Sequence, residues 1–171
     1  EALDRGTGRP VALKMLLAVS DPDARARFRI EGEAAARLRH PGIVAVHAMG
    51  VAGGVPYLVM DLVQGETLER RLTRTGPFAF AEAMRIAEEA ASALEHAHAQ
   101  GIVHRDLKPS NVMIDETGRV LLTDFGLAKL SGGAPLTRTG DLLGTPSYMA
   151  PEQLDGRRAE PRTDVYGLGA T

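Results

Sequence analysis

The sequence contains no cysteine, which excludes disulfide bonds and metal sites built from thiolates. It has no apolar run near the roughly 18 residues of a membrane-spanning helix, and Glu1 opens into polar sequence without a signal-peptide pattern. A formal charge of −2 gives no bias towards nucleic acid or anionic membranes. The remaining possibility is a soluble globular chain of 171 residues, long enough for a sizeable core. We therefore expect a cytoplasmic protein, although sequence beyond Thr171 could still carry a membrane anchor.

Hydrophobic spacing and breaker residues predict alternating strands and helices along the chain. The predicted strands occupy residues 10–17, 43–49, 56–63, 112–114 and 120–122. The predicted helices occupy residues 21–39, 66–73 and 80–98. Gly6 and Gly8 predict a turn between two strands near the start of the chain. From 127 to 151 the sequence is rich in Gly, Ser, Thr and Pro, and a loop of that length is usually functional or disordered.

The longest predicted helix has one candidate core stripe and a clear end. Gly101 follows the helix as a stop signal. The residues expected to face the core share helical spacing: Met84, Ala87, Ala91, Leu94 and His98.

Two short motifs carry the chemistry, HRDLKPSN at residues 104–111 and TDFG at residues 123–126. They supply two carboxylates, one amide and one lysine within a short stretch of chain. Moving a phosphoryl group requires positioning and charge neutralisation by hard oxygen ligands and cations, with little covalent help. The motifs therefore indicate phosphoryl transfer that involves a phosphate and a divalent metal.

These motifs resemble the catalytic loop and the metal-binding motif of the eukaryotic-type (Hanks-type) bacterial Ser/Thr protein kinases. Further matches follow in the order of that family: VALK at residues 11–14, GT at 144–145, APE at 150–152 and DVYGLG at 164–169. All three lysines of the chain, scarce among its 20 basic residues, fall where the family places functional ones.

The resemblance implies an α+β, bilobal protein kinase-like fold. Residues 1–63 would form a partial, β-rich small lobe and residues 64–171 a partial, helical large lobe. The glycine-rich loop of the family is not found before VALK, and Thr171 falls inside the expected central helix of the large lobe. We therefore expect a piece of one catalytic domain, truncated at both ends.

The same resemblance assigns the catalytic roles. Asp106 corresponds to the catalytic base, which accepts or orients the hydroxyl proton, and Lys108 to the lysine that reaches the γ-phosphate. Asn111 and Asp124 correspond to the ligands of Mg²⁺ (or Mn²⁺), a hard cation that suits oxygen donors. Lys14 corresponds to the lysine that holds the α- and β-phosphates of ATP.

A glutamate on the helix after Lys14 should orient that lysine. Glu31 lies nine residues before His40, as in the family. Glu33 lies two residues later and faces another side of the helix, at about 100° per residue. We therefore expect Glu31 to pair with Lys14.

The adenine of ATP would lie among a second set of residues that the resemblance implies. Ala12 and Met113 correspond to the pair that sandwiches the ring, and Asp61 and Val63 to hinge residues whose backbone groups bind it. Met60 corresponds to the residue that guards the back pocket, although a plain buried methionine explains it equally well.

Thr145 corresponds to the residue that hydrogen-bonds the base, and with Lys108 it implies Ser/Thr rather than Tyr specificity. The expected partners are protein substrates, including other copies of the kinase in trans, and no nucleic acid. His104 resembles a structural histidine packed near Phe125 rather than a second base.

The resemblance also implies a regulatory cluster in which Arg105 and Lys129 bind an anion of the activation loop. Phosphorylation of Thr139, or of Thr137 as the second choice, would supply that anion and order the loop. Asp141 is a competitor, because it could supply a permanent, weaker anion to the same cluster.

Two other functions stay open at this stage. A pseudokinase scaffold or nucleotide-binding regulatory module would keep the fold without transfer, and the intact catalytic identities argue against it. A small-molecule phosphotransferase of the same fold would lack the segment at 144–152 that presents a peptide.

Overall fold

The computed structural model describes residues 1–16, 22–125 and 146–171 of the chain. Its first sheet has four antiparallel strands in the spatial order β1-β2-β4-β3. They are β1 (Ala2–Leu3), β2 (Pro10–Met15), β3 (Val46–Ala52) and β4 (Val55–Asp61). Half-buried and buried residues alternate along β4, so one face of the sheet packs on the core.

The turn between β1 and β2 confirms the prediction made from Gly6 and Gly8. Gly8 has a φ of 69°, and its N–H donates a hydrogen bond to the carbonyl of Asp4 at 2.7 Å. β2 ends at Met15, and the predicted end of this strand, Leu17, lies outside the described residues.

Helix α1 (Pro22–Ala35) packs against β3 and β4. The predicted end of this helix, Arg39, is wrong. The winding tightens after Ala35, because the N–H of Leu38 donates to the carbonyl of Ala35 at 3.1 Å, three residues back. The α-helix therefore ends four residues before its predicted end.

The predicted strand that starts at Ile43 is displaced, since β3 begins only at Val46. Ile43 instead forms a parallel bridge with Leu122. The N–H of Val44 donates to the Leu122 carbonyl at 2.9 Å, and the N–H of Leu122 donates to the Gly42 carbonyl at 2.8 Å. The backbone just before β3 thus joins the first sheet to a second one.

The second sheet has three antiparallel strands in the order β5-β6-β7. They are β5 (Gly65–Thr67), β6 (Val112–Asp115) and β7 (Val120–Leu122). The sequence predicted a helix from Glu66, but the side chain of Thr67 caps the helix instead. Its Oγ1 accepts a hydrogen bond from the N–H of Arg70 at 3.2 Å, so α2 (Leu68–Thr75) begins two residues later than predicted.

Three further helices complete the described chain: α3 (Phe80–Ala99), α4 (Pro151–Leu154) and α5 (Pro161–Ala170). α3 ends near the stop predicted at Gly101, which has a φ of 73°. α3 packs against β7 and α5. In the parts of the chain that are described, no helix is long and apolar enough to cross a membrane.

The predicted core stripe of α3 is mostly wrong. Met84 is 44% exposed, and only Leu94 of that stripe is buried. Alanine occurs on several sides of this helix, so hydrophobic spacing does not identify the core face. The buried residues are Ile86, Ala90, Ala93, Leu94 and Ala97.

One hydrophobic core lies between the two sheets and their helices. Leu58 of the first sheet and Leu122 of the second are both fully buried in it. The two sheets therefore share a core as well as the backbone bonds at Leu122.

Replacing Leu122 by alanine should lower the free energy of unfolding by about 2–5 kcal/mol, because the side chain has no exposed surface and its loss leaves a cavity. Leu3→Ala is the matched control, since Leu3 is 65% exposed, and should change stability by less than about 0.5 kcal/mol. Urea unfolding of both variants measures the difference, and equal effects would contradict the shared core.

Candidate active site

A buried carboxylate, Asp164 on α5, holds the loop that carries the HRD motif. Asp164 is 1% exposed. Its Oδ2 accepts a hydrogen bond from the backbone N–H of His104 at 2.8 Å, and its Oδ1 accepts one from the N–H of Arg105 at 2.8 Å. The Nε2 of His98 lies 2.7 Å from the same Oδ2. Since a buried carboxylate is costly without such partners, these contacts fix the loop to α5.

The loop and α5 also approach each other closely at a glycine. A Cβ on Gly167 would lie 3.1 Å from the Cβ of Leu107 and 3.2 Å from its carbonyl oxygen. Leu107 is buried against this helix. Asp106 and Lys108, which flank Leu107, keep partly exposed side chains.

His104 is fully buried, and its ring lies 4.7 Å from that of Phe125, which confirms the predicted packing. Its Nδ1 accepts the N–H of Asp106 at 3.3 Å, so Nε2 carries the hydrogen and donates to the Thr123 carbonyl at 2.9 Å. Burial lowers the pKa of this imidazole, against the raising effect of the Asp164 charge. A neutral ring therefore connects the HRD and TDFG motifs.

The candidate base Asp106 lies between a cation and an amide. The Nζ of Lys108 is 2.9 Å from its Oδ2. The Nδ2 of Asn111 donates to the same Oδ2 at 3.0 Å and to the Asp106 carbonyl at 2.8 Å. A 3-10 helix at Pro109–Asn111 turns the chain so that Asn111 returns to the candidate base. The structure thus brings three of the predicted residues together.

The expected pair of Lys14 and Glu31 is replaced by two other ion pairs. The Nζ of Lys14 lies 2.6 Å from Oδ1 of Asp124, and Nη1 of Arg105 lies 3.1 Å from Oε1 of Glu31. Asp124 and Arg105 have φ angles of 66° and 71°, which are uncommon for residues other than glycine. Glu31 is 15% exposed and Glu33 46%, which agrees with the choice of Glu31 as the inward glutamate.

The residues predicted to hold a metal fit that role by their donor chemistry. Asn111 uses its Nδ2 towards Asp106, so Oδ1 is the atom left for a cation. The carboxylate of Asp124 already lies against one cation, the ammonium of Lys14. Among the residues that the structure covers, no three His, Cys, Asp or Glu gather into a metal-binding group. A metal at this place would therefore depend on phosphate oxygens in addition to Asn111 and Asp124.

The residues predicted to contact adenine come from both sheets. Ala12 is the cross-strand neighbour of Met60, which is 8% exposed and lines a small cavity. Asp61 ends β4, and Val63 packs half-buried against the core in the link that follows. Met113 lies on β6.

Sequence reasoning missed the residues that support the loop from α4 and α5. Asp164 was noticed only as part of a motif, and Gln153 was not noticed at all. The Nε2 of Gln153 donates to the carbonyl of Arg105 at 2.7 Å. Glu152 accepts a hydrogen bond from the hydroxyl of Thr163 at 2.7 Å, and this bond is the main cause of its lowered pKa.

Five predicted site residues lie outside the described residues, so their placement stays a prediction: Lys129, Thr137, Thr139, Asp141 and Thr145.

Comparison with known protein families identifies the family to which this fold belongs. The family model of the protein kinase domain matches residues 1–171. The chain belongs to the protein kinase family. The crystal structure of the Mycobacterium tuberculosis PknI kinase domain superposes on this kinase-family chain with a TM-score of 0.76 and 36% sequence identity. The match covers 92% of this chain and 59% of that one. The predicted α+β, kinase-like fold is confirmed.

Curated relatives of this kinase-family chain are bacterial. It is 48% identical to serine/threonine-protein kinase PknA of Mycobacterium tuberculosis (strain ATCC 25618 / H37Rv), over 99% of this chain and 41% of that protein. It is 40% identical to serine/threonine-protein kinase PrkC of Bacillus subtilis (strain 168), over 94% of this chain and 25% of that protein. The chain thus spans less than half the length of these relatives.

The buried, neutral His104 should make stability depend on pH. The unfolded chain takes up a proton on this ring below about pH 6.5, whereas the native ring resists protonation because burial lowers its pKa. The unfolded state then binds more protons, so stability should fall as the pH drops from about 6.5 to 5.

Urea unfolding at several pH values measures this slope. His104→Gln should remove up to about 1.4 kcal/mol per pH unit. A residual slope is expected from His40, whose pKa is lowered first by burial and then by the charge of His96. An unchanged slope in His104→Gln would contradict the neutral, buried ring.

Proposed function

We propose that this chain carries the active site of a serine/threonine-protein kinase, which transfers the γ-phosphoryl group of ATP to Ser and Thr hydroxyls of proteins. The observation that carries the proposal is the cluster at Asp106. There one carboxylate oxygen lies within 3.0 Å of both the Lys108 ammonium and the Asn111 amide. Family membership and the names of the relatives support the same reaction.

Asp106 would accept or orient the proton of the incoming hydroxyl. Its Oδ2 is held by Lys108 and Asn111, which fixes the orientation of the carboxylate and leaves Oδ1 to meet the substrate. Lys108 would also neutralise charge on the phosphoryl oxygens, the main contribution that a protein makes to this reaction.

Asn111 and Asp124 would hold Mg²⁺ or Mn²⁺ through oxygen atoms. The metal supplies positive charge that shields the phosphates from one another and from the carboxylates. Lys14, now in contact with Asp124, would bind the α- and β-phosphates. Either cation, the metal ion or the Lys14 ammonium, would offset the charge of Asp124 and so lower the repulsion between this carboxylate and an incoming nucleotide.

The adenine would lie between Ala12 of the first sheet and Met113 of the second, beside Met60. Backbone groups of Asp61 and Val63 would bind its edge. The adenine would thus lie between the two sheets, beside the segment that links them. Ligand sites are common at such junctions between structural units.

Thr145 would hydrogen-bond the base and help to accept a hydroxyl, which supports Ser/Thr rather than Tyr as the acceptor. The partners would be protein substrates, including other copies of the kinase in trans. We place this reaction in the cytoplasm.

Activation would depend on which anion Arg105 binds. In the structure Arg105 contacts Glu31, which the family would pair with Lys14. A phosphate on Thr139 or Thr137 carries a charge of about −1.5 to −2 and would compete with one carboxylate for Arg105, assisted by Lys129. Release of Glu31 towards Lys14 would then accompany activation.

In the full-length protein, Asp106→Asn should lower the rate of phosphoryl transfer by about 10² to 10⁴-fold, because the base acts on the hydroxyl. Nucleotide affinity should stay within about twofold of wild type, since Asp106 does not act on the nucleotide. Radiolabel transfer to a generic basic protein and calorimetry with ADP measure the two quantities.

Asp155→Asn is the matched control, because Asp155 is 56% exposed and pairs with Arg157 away from the site. It should leave both quantities unchanged. Inactivation by His104→Ala with a tolerated Asp106→Asn would reverse the proposed roles. A wild type that binds ADP but transfers nothing would favour the scaffold.

The activation switch can be tested by comparing wild type, the double variant Thr137→Ala/Thr139→Ala, and Asp141→Asn, each before and after phosphatase treatment. We expect phosphatase to inactivate the wild type, because Arg105 loses its phosphate partner. The double variant should be poorly active throughout, and Asp141→Asn should behave as wild type.

Activity that survives phosphatase and the double substitution, but is lost in Asp141→Asn, would contradict the phosphothreonine switch. That result would give the role of the anion to Asp141.

A further inference from the structure

β3 contains a bulge at His47. Its register against β4 shifts between Val46 and Ala48, so His47 is an extra residue between two regular pairs. Val46 and its partner Met60 are buried, whereas His47 and Asp61 are exposed on the other face. The bulge places the two exposed side chains together, with Nε2 of His47 at 2.6 Å from Oδ1 of Asp61.

Asp61 is the last residue of β4, and the chain leaves the first sheet there to reach β5 at Gly65. Two bonds hold this residue. The N–H of Asp61 donates to the carbonyl of Ala45 at 3.0 Å, and its carboxylate contacts His47. The start of the link between the two sheets is therefore fixed by one backbone bond to Ala45, just before β3, and by one side-chain bond to His47 of β3.

We infer that His47 is a positioning residue for nucleotide binding, which acts through Asp61 to hold the link between the sheets in the geometry that binds adenine. The inference rests on the proposed function, because the backbone of Asp61 and Val63 is the expected adenine site. His47 itself would touch no part of the nucleotide. The bond from His47 restricts the rotation of Asp61 and of the link, so the link loses less conformational entropy when adenine binds.

The test measures the Kd of adenosine by calorimetry on the full-length protein, since adenosine reports on the adenine site without the phosphate contacts of Lys14 and Lys108. His47→Ala should raise the Kd by about two- to fivefold, the range expected for an ion pair exposed at 41% and 56%. His47→Gln should restore most of the affinity, because its amide can donate to Asp61.

Two readouts separate positioning from simple packing: the rescue by His47→Gln, and the effect on KM compared with the effect on kcat. In transfer assays the KM for ATP should change in His47→Ala much more than kcat does. Glu33→Gln is the matched control, because it removes another exposed ion pair, with Arg29 on α1, and should change neither the adenosine Kd nor the KM for ATP.

An adenosine Kd in His47→Ala equal to that of wild type, or a Kd in His47→Gln as high as that in His47→Ala, would overturn the inference. Both outcomes concern binding alone. A wild type that transfers no phosphate, but whose adenosine affinity falls in His47→Ala and is restored in His47→Gln, would support the inference while contradicting the proposed reaction.

Discussion

The carboxylate of Asp164 accepts two consecutive backbone N–H groups, those of His104 and Arg105, and this constraint shapes the rest of the site. Two neighbouring N–H groups can point at one carboxylate only if the chain turns sharply between them. Arg105 has a left-handed φ of 71°, and Gln153 on α4 donates a hydrogen bond to its carbonyl. The direction of Asp106, the next residue, is therefore set by α4 and α5 rather than by the loop itself.

Three carboxylates of the described site each lie against a Lys or Arg side chain. Because each of these ion pairs is partly exposed to solvent, each contributes little to stability. Their value is that a phosphate can compete for the cations at small cost. The pairs are Lys14 with Asp124, Lys108 with Asp106, and Arg105 with Glu31.

The sequence predicted most of the strands, the long helices and the cluster around Asp106, because these depend on local spacing and on motifs of neighbouring residues. It failed where the deciding contact is distant in sequence. The bridge of Ile43 to Leu122 displaced a predicted strand, and the alanine-rich α3 buries a face that its own pattern does not mark. Asp164 was missed because its partners lie some sixty residues away. The regulatory threonines stay predictions.

The two sheets are connected at two places, by the link after Asp61 and by the backbone bonds between Val44 and Leu122. Two fixed points define an axis, so rotation about that axis is the easiest relative movement of the sheets. Sliding of one sheet past the other would instead require the backbone hydrogen bonds at Leu122 to break. The two attachments therefore favour a hinge movement over a shear movement.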